Sequence, residues 1–193
     1  MKEKLTVIKV GGKIVEEEAT LNQLLQDFSA IEGYKVLVHG GGRSATKLAA
    51  QLGIGSRMVN GRRITDAETL KVVTMVYGGL VNKNIVAGLQ SKGVNAIGLT
   101  GADMNVIRSV KRPVKDVDYG FVGDVEEVNA ELLANLIRQG VVPVMAPLTV
   151  RRRADSSFWI SSLISKIRLD AIWYPPYELK TAAPRFAARR NDF

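Results

Sequence analysis

Residues 36–43 read Val-Leu-Val-His-Gly-Gly-Gly-Arg, and this stretch decides the fold. Three consecutive branched apolar residues predict a buried strand, which the glycines end just before the helical pattern of residues 43–52. Residues 5–12, Leu-Thr-Val-Ile-Lys-Val-Gly-Gly, likewise form an apolar run that ends in glycines. Strands that alternate with helices predict an α/β fold around a mainly parallel sheet, with right-handed crossovers.

The same alternation continues to Thr149. Apolar runs predict two further strands, at residues 94–99 and 141–145. Asn60-Gly61 predicts a hairpin within residues 58–64. Residues 104–111 and 121–128 are expected to form an exposed antiparallel pair. Helical spacing predicts helices at residues 19–31, 66–77, 82–91 and 130–139, with Asp66 and Asn129 as N-caps and Gly140 ending the last of them.

The composition excludes several classes of protein. The chain has 193 residues, 46% apolar and 24% charged, as expected of one domain or a small two-layer unit. No apolar run approaches the roughly 18 residues of a membrane span, and the first residues lack a secretory pattern, so we predict a cytoplasmic protein without a membrane partner. The absence of Cys excludes thiolate chemistry and Cys metal sites, and one His cannot form a His cluster. No metal site of the protein's own is predicted.

The composition of the sequence changes after Thr149. Residues 1–149 contain 18 basic and 15 acidic residues and all 18 glycines, whereas residues 150–193 contain 9 basic and 4 acidic residues and no glycine. The basic charge therefore belongs largely to the second segment, which disfavours a nucleic-acid role based on whole-chain charge. We expect residues 1–149 to form the folded part and residues 150–193 to be an atypical basic tail foreign to that fold.

Lys9, Gly11 and Gly12 form the first candidate site. A Lys within an apolar strand is costly to bury unless its charge is used, and glycines let the backbone approach a ligand closely. The alternative is that Lys9 reaches solvent from an edge strand.

The glycine turn that follows His39 is the second candidate. A glycine turn that enters a helix offers unpaired N–H groups and the positive end of the helix dipole, which suits an anion. The alternative is a tight turn without a ligand, but three glycines exceed what a turn needs. The turn matches neither the P-loop pattern nor the dinucleotide pattern. We interpret His39, with Gly40, as an orienting or packed residue rather than a general base.

Residues 60–65, Asn-Gly-Arg-Arg-Ile-Thr, form the third candidate. A hairpin that carries two Arg side chains can present a guanidinium fork to a carboxylate, although a solvated charged turn has the same pattern. Two glycine turns, one Lys and one Arg suit anions and include no evident nucleophile or base. Phosphoryl transfer to an ionised carboxylate needs neither, because it depends on positioning and charge neutralisation.

Residues 9–12, 39–42 and 60–65, with residues 141–144 after Gly140, together resemble the amino-acid kinase family. The resemblance covers about residues 5–149. It implies an αβα sandwich around a mainly parallel sheet, in a protein that is a homodimer or a higher homo-oligomer when complete.

The resemblance also implies a role for each matching residue. Lys9 would stabilise the transferring phosphoryl group. Gly11 and Gly12 would face the phosphates of the nucleotide. Gly41 and Gly42 would bind the substrate beside its reacting carboxylate.

Arg63 would hold the substrate's α-carboxylate. The implied reaction moves the γ-phosphoryl of ATP, with Mg²⁺, onto the side-chain carboxylate of N-acetyl-L-glutamate or a related acylglutamate, in arginine biosynthesis. The Asn-Gly-Arg-Arg-Ile-Thr segment favours this branch over carbamate, aspartate, glutamate or uridylate kinases.

The chain departs from the family after Thr149. An Asp-Gly turn, an Asn-x-Asn-Ala-Asp segment and a second phosphate-facing Lys are expected there and are missing, so we expect a truncated, catalytically incomplete chain. A shift of reading frame is our hypothesis for the change: Arg151 to Arg153 could be encoded CGA CGG CGG, which reads Asp-Gly one base later. A genuine alternative C-terminus is the rival account, and a non-catalytic subunit that pairs with a full-length kinase is the rival function.

Overall fold

The computed structural model describes residues 4–151 and the backbone of residues 158–161 and 178–180. The strands are β1 (Lys4–Val10), β2 (Tyr34–His39), β3 (Arg57–Val59), β4 (Arg62–Ile64), β5 (Ala96–Leu99), β6 (Ile107–Lys111), β7 (Val122–Val128), β8 (Val142–Met145), β9 (Leu148–Arg151), β10 (Phe158–Ser161) and β11 (Glu178–Lys180). The α-helices are α1 (Gly12–Glu16), α2 (Glu18–Ser29), α3 (Gly42–Gln51), α4 (Ala67–Thr74), α5 (Asn82–Gln90) and α6 (Ala130–Arg138).

A parallel sheet lies at the centre, with the strand order β11-β1-β2-β8-β5. Val10 at the end of β1 pairs with His39 at the end of β2, and Val38 pairs with Met145 of β8. The predicted parallel sheet is confirmed. Because parallel strands end at the same edge, the glycine turns after β1 and β2 are brought side by side.

Helices cover both faces of this sheet. Side chains alternate along β2, so that Leu37 packs with helices α2 to α5, while Val36 and Val38 pack on the other face with Leu133 of α6. The result is the predicted αβα sandwich.

A second, smaller sheet closes on itself in the order β10-β7-β6-β9. The antiparallel pairing of β6 with β7 is confirmed. The prediction that this pair is exposed is wrong for its inner face, because Ile107 and Ser109 are 1% and 0% exposed. Pairing of β6 with β9 places these side chains inside the closed sheet.

Ala67–Gln90 is one continuous helix, where two were predicted. Its middle, Met75–Val81, is π-helical and carries the chain through Gly78-Gly79 without a break. The helix is long and apolar enough to span a membrane by composition, with a mean hydropathy of 1.3. Val72, Ile85 and Leu89 are buried in the core, so the apolar face is used for packing.

Polar groups cap the helices as predicted. Asp66 Oδ1 accepts a hydrogen bond from the Thr69 N–H at 2.8 Å, and Asn129 Oδ1 accepts one from the Leu132 N–H at 3.1 Å. Gly140 follows α6 with φ +78°, which a glycine adopts without strain.

Lys35 caps the C-terminal end of helix α2. Its side chain is buried, and Nζ donates to the carbonyls of Phe28, Ser29 and Ile31 at 3.0, 2.9 and 2.8 Å. Burial lowers the pKa of Lys35. The three carbonyls, at the negative end of the α2 dipole, use every N–H of the ammonium group and so offset the desolvation.

Candidate functional site

The two glycine turns of the sequence analysis touch each other. The Gly40 N–H donates to the Val10 carbonyl at 3.0 Å, which ties the second turn to the end of β1. A Cβ placed on Gly12 would lie 3.6 Å from the Gly42 nitrogen and 3.9 Å from the Gly41 and Arg43 nitrogens. The N-termini of α1 and α3 therefore meet at one point.

Free backbone N–H groups collect at this point. The first hydrogen bond within α3 runs from the Ala45 N–H to the Gly41 carbonyl at 2.9 Å, so the preceding N–H groups of the first turn have no partner within the helix. Together with the positive end of the helix dipole, they suit a phosphate or carboxylate.

The glycines are required for different reasons. Gly11 has φ −76° and ψ 159°, a conformation open to any residue, and a Cβ there would meet nothing within 4 Å. The fold does not need a glycine at this position, which leaves room for a ligand. A Cβ on Gly41, by contrast, would lie 2.8 and 2.9 Å from the Tyr77 ring, so this glycine is needed for packing.

Arg63 joins the β3–β4 hairpin to the first turn of α3. Its Nη2 donates to the Gly42 carbonyl at 2.7 Å and also to Thr46 Oγ1. Its Nη1 is buried and has no hydrogen-bond partner among the described residues. One edge of the guanidinium is thus used for structure, while the second nitrogen stays available for a carboxylate. The predicted hairpin itself is confirmed, with Asn60 and Gly61 at φ 50° and 72°.

A cleft of about 720 Å³ opens over these groups. Among the described residues, five cationic side chains and no carboxylate line it. The lining residues are Gly11, Gly12, Lys13, Gly42, Arg43, Thr46, Met58, Gly61, Arg62, Arg63, Thr65, Tyr77, Arg112, Tyr119 and Val122. The excess of positive charge favours an anionic ligand with several negative groups.

The far wall of the cleft comes from the β6–β7 connection, which the sequence analysis did not find. The Arg112 Nη2 donates to Asp124 Oδ1 at 2.9 Å, and both side chains are about four-fifths buried. Gly120 bridges to Thr65, and a Cβ there would lie 2.2 Å from the Thr65 carbonyl oxygen. No local motif indicates this wall, because it is assembled by a contact between distant segments.

His39 lies beneath the glycine turn and is fully buried. Its Nδ1 is 2.8 Å from the Gly40 carbonyl oxygen and its Nε2 is 3.0 Å from Asn82 Nδ2. Burial lowers the pKa of His39, against a smaller opposite effect of the hydrogen bond to Gly40. A neutral, buried ring that contacts the turn fits the orienting role of His39 and Gly40. Asn82, its partner, carries no signal in the sequence.

The predicted site residues are only partly brought together. Gly11, Gly12, Gly42 and Arg63 line the cleft, and His39, Gly40 and Gly41 lie directly behind them. Lys9 is exposed rather than buried, and it is not among the residues that line the cleft. Lys9 was predicted to bind a ligand because a buried charge is costly unless it is used, and an exposed Lys9 does not carry that cost.

Within the described ranges, no three His, Asp or Glu side chains come close enough to hold a metal ion. The described residues that line the cleft supply N–H groups and cationic side chains, which suit an anion, and no carboxylate for a metal.

The chain matches known proteins over most of its length. The model of the amino acid kinase family matches residues 4–163. The acetylglutamate kinase of Phocaeicola vulgatus is 91% identical over 149 residues, which are 77% of this chain and 58% of that protein. The acetylglutamate kinase of Cytophaga hutchinsonii is 60% identical over 148 residues, 76% of this chain and 56% of that protein. The chain thus spans a little over half the length of the curated relatives that it matches.

Solved structures agree on the fold. A crystal structure of a Streptococcus mutans UA159 protein superposes with a TM-score of 0.70 at 25% identity, over 83% of this chain and 64% of that chain. The N-acetylglutamate synthase of Neisseria gonorrhoeae, solved with coenzyme A and N-acetyl-glutamate, superposes with a TM-score of 0.67 at 22% identity, over 83% of this chain and 36% of that chain.

Proposed function

Because the chain belongs to the amino acid kinase family, we propose that it binds an N-acyl-L-glutamate and ATP and carries part of the machinery that phosphorylates the side-chain carboxylate of the acylglutamate. N-Acetyl-L-glutamate is the default acceptor, since the most similar curated relatives are named acetylglutamate kinases. The observation that carries the proposal is the cleft in which two glycine turns and five cationic side chains converge without a carboxylate.

The chemistry fits the groups that are present. One oxygen of the acceptor carboxylate attacks the γ-phosphorus of ATP, the bond from that phosphorus to the β,γ-bridging oxygen breaks, and ADP leaves with the electron pair. The product is an acyl phosphate. The acceptor is ionised at neutral pH, because a glutamate side chain has an ordinary pKa of about 4.3. The reaction therefore needs no general base, and catalysis depends on positioning and charge neutralisation.

The proposed roles follow the cleft. The N–H groups of Gly11 and Gly12 would face the nucleotide phosphates, and those of Gly41 and Gly42 would face the reacting carboxylate. Arg63 would hold the α-carboxylate through Nη1, which is buried and has no partner.

Two further groups belong to the proposal. Lys9 would stabilise the transferring phosphoryl group from its exposed position at the end of β1. Mg²⁺ would accompany ATP, but the residues that line the cleft offer it no carboxylate, so we assign no step to it.

We place the reaction in arginine biosynthesis in the cytoplasm, with a homodimer or higher homo-oligomer as the complete form. The 193-residue chain itself should bind the acceptor yet turn over negligibly, because residues 150–193 contain no Asn-x-Asn-Ala-Asp segment, which the resemblance leads us to expect after Thr149.

We propose that the segment after Thr149 is foreign to the kinase domain, although the family model extends to residue 163 and residues 158–161 and 178–180 pair with strands of the two sheets. The curated relatives match 147 to 149 residues, about the number that precedes the change in composition. Sequencing the coding DNA across this segment tests the proposal. A second frame that reads Asp-Gly and then Asn-x-Asn-Ala-Asp supports a frameshift, whereas its absence in all frames supports a genuine alternative C-terminus.

Calorimetric titration of the full chain with N-acetyl-L-glutamate tests the proposed acceptor site. We expect binding by the wild-type chain and a loss of at least about tenfold in affinity for Arg63→Gln, since a charge-assisted contact is removed. Arg138→Gln on the remote helix α6 is the matched control and should bind as the wild type does. Equal affinities of the two variants would contradict the proposal.

Turnover is measured separately. Trapping the acyl phosphate with hydroxylamine should give no more product with the chain and ATP than without the protein. Rapid, ATP-dependent product would refute the proposed catalytic incompleteness and leave the binding proposal intact.

A further inference from the structure

We infer that Asn82 is a positioning residue, which acts through His39 to hold the Gly40–Gly42 turn in the geometry that binds the anionic acceptor. The inference rests on the proposed function for the identity of the ligand. The chain of contacts itself is independent of any ligand.

The orientation of the Asn82 amide is determined by its partners. Its Nδ2 lies 2.9 Å from the Val144 carbonyl oxygen and 3.0 Å from His39 Nε2. A carbonyl can only accept a hydrogen bond, so the amide nitrogen must be the atom that faces it. The same nitrogen can only donate, and therefore His39 Nε2 must be unprotonated.

The other side of the ring leads to the same tautomer. His39 Nδ1 lies 2.8 Å from the Gly40 carbonyl oxygen, which can only accept, so Nδ1 carries the proton. Both side chains are almost fully buried, His39 at 0% and Asn82 at 1% exposure. Because burial lowers the pKa of His39, the ring stays neutral and keeps Nε2 as an acceptor.

The relay ends at the site. Gly40 is held at both peptide groups, by His39 at its carbonyl and by Val10 at its N–H. The next two residues carry the N–H groups that face Gly12 across the junction of the two helices. If the ring turned over, the Gly40 carbonyl would lose its partner and the direction of these N–H groups would change.

Two observations indicate that Asn82 is kept for its N–H donors. Within the part of the chain that the structure describes, its Oδ1 is buried without a hydrogen-bond partner, a cost that an apolar side chain of similar size would avoid. A Cβ on Gly98 would lie only 1.8 Å from that oxygen, so strand β5 needs a glycine at the position that faces the Asn82 amide. The structure accepts both costs at one residue, as expected where a specific hydrogen bond is needed.

The first experiment needs no variant. The chain contains one histidine, so a long-range ¹H–¹⁵N spectrum of the uniformly labelled full chain shows a single imidazole. We expect the neutral tautomer with the proton on Nδ1 at pH 7. A proton on Nε2 would overturn the inference.

The second experiment compares Asn82→Asp with Asn84→Asp. The first replaces the amide that donates to Nε2 with a carboxylate, which must accept from the ring and so stabilises the imidazolium. The second makes the same change on the exposed side of helix α5. We expect Asn82→Asp alone to raise the pKa of His39, to shift the amide signals of Gly41 and Gly42, and to weaken N-acetyl-L-glutamate binding by at least about tenfold.

The outcomes separate the two proposals. A wild-type chain that binds no N-acetyl-L-glutamate contradicts the proposed function, while the tautomer and the glycine amide shifts still decide the relay. Equal amide spectra and equal affinities for the two variants would overturn the relay and leave the function standing. If Asn82→Asp fails to fold, the tautomer of the wild-type chain remains decisive.

Discussion

Gly41→Ala should destabilise the fold through one contact, between the new methyl group and the Tyr77 ring. The Cβ would lie 2.8 and 2.9 Å from two ring carbons and 3.5 Å from Val81 Cγ2. Tyr77 is only 9% exposed, so the ring cannot move aside without displacing the core. The φ of Gly41, 174°, lies outside the left-handed region, and the cost therefore comes from the contact alone. Overpacking of this kind costs about 1–3 kcal/mol.

A double-mutant cycle isolates that contact. Tyr77→Ala removes both ring carbons and should itself cost about 3–5 kcal/mol through the cavity that it leaves. In the double variant the methyl group no longer meets the ring, so the combined cost should fall short of the sum of the single costs by about 1 kcal/mol or more. Gly79→Ala is the matched control, because a Cβ there meets nothing within 4 Å.

Urea denaturation followed by circular dichroism measures the free energy of unfolding of the five proteins. The comparison requires equal m-values, so that the differences reflect the native state. The reasoning is refuted if Gly41→Ala costs no more than Gly79→Ala, or if the two substitutions in the cycle are additive. A refutation would mean that the turn moves freely over the ring, and the packing account of this glycine would fail.

Three further predictions concern the helix cap, pH and the anion site. Lys35→Met should lower the free energy of unfolding by about 2–4 kcal/mol, because three carbonyls at the end of α2 lose their donor. Lys47 is exposed, so Lys47→Met should change the free energy of unfolding by less than about 0.5 kcal/mol in the same urea assay. Burial lowers the pKa of His39 below its ordinary 6.5. At a pH between the lowered pKa and 6.5, the unfolded chain therefore binds more protons than the folded chain. The free energy of unfolding should fall as the pH drops below about 6.5, by at most about 1.4 kcal/mol per pH unit. Urea titrations of His39→Gln should show a smaller dependence on pH. Gly12→Ala should fold, since its methyl group would lie 3.6 Å from the nearest nitrogen, yet that methyl group occupies the space above the N–H groups. Its affinity for ATP should fall by at least about tenfold in calorimetric titration, and unchanged affinity would contradict an anion site at this point.

Local patterns were sufficient for most of the architecture. Apolar runs, capping residues and the Asn60-Gly61 turn predicted the strands, the helix ends and the hairpin, because each depends on neighbours in the chain. The long helix was the main error. Helical spacing predicted separate helices at residues 66–77 and 82–91, but the backbone stays helical from Ala67 to Gln90 by a π-helical path through Gly78 and Gly79.

The candidate site was predictable only where it lies on one segment. The glycine turns and Arg63 can be recognised in the sequence, because glycine runs and paired Arg side chains are local features. Arg112 and Tyr119 do not, because they reach the cleft only when the β6–β7 connection docks on Thr65. Lys9 shows the opposite case: a Lys within an apolar run suggested a buried charge, but its side chain is exposed in the tertiary structure.

The sequence by itself determined the alternation of strands and helices, the position of the glycine turns and the family, because these depend on side-chain period, glycine placement and motif order. Only the tertiary structure decided which glycine is needed for packing and which leaves room for a ligand, since that depends on what lies across from each Cα. It also decided that the single histidine is buried against the Gly40 carbonyl and Asn82. Burial lowers the pKa of this imidazole, and both contacts exist only once β2, β8 and α5 have packed together.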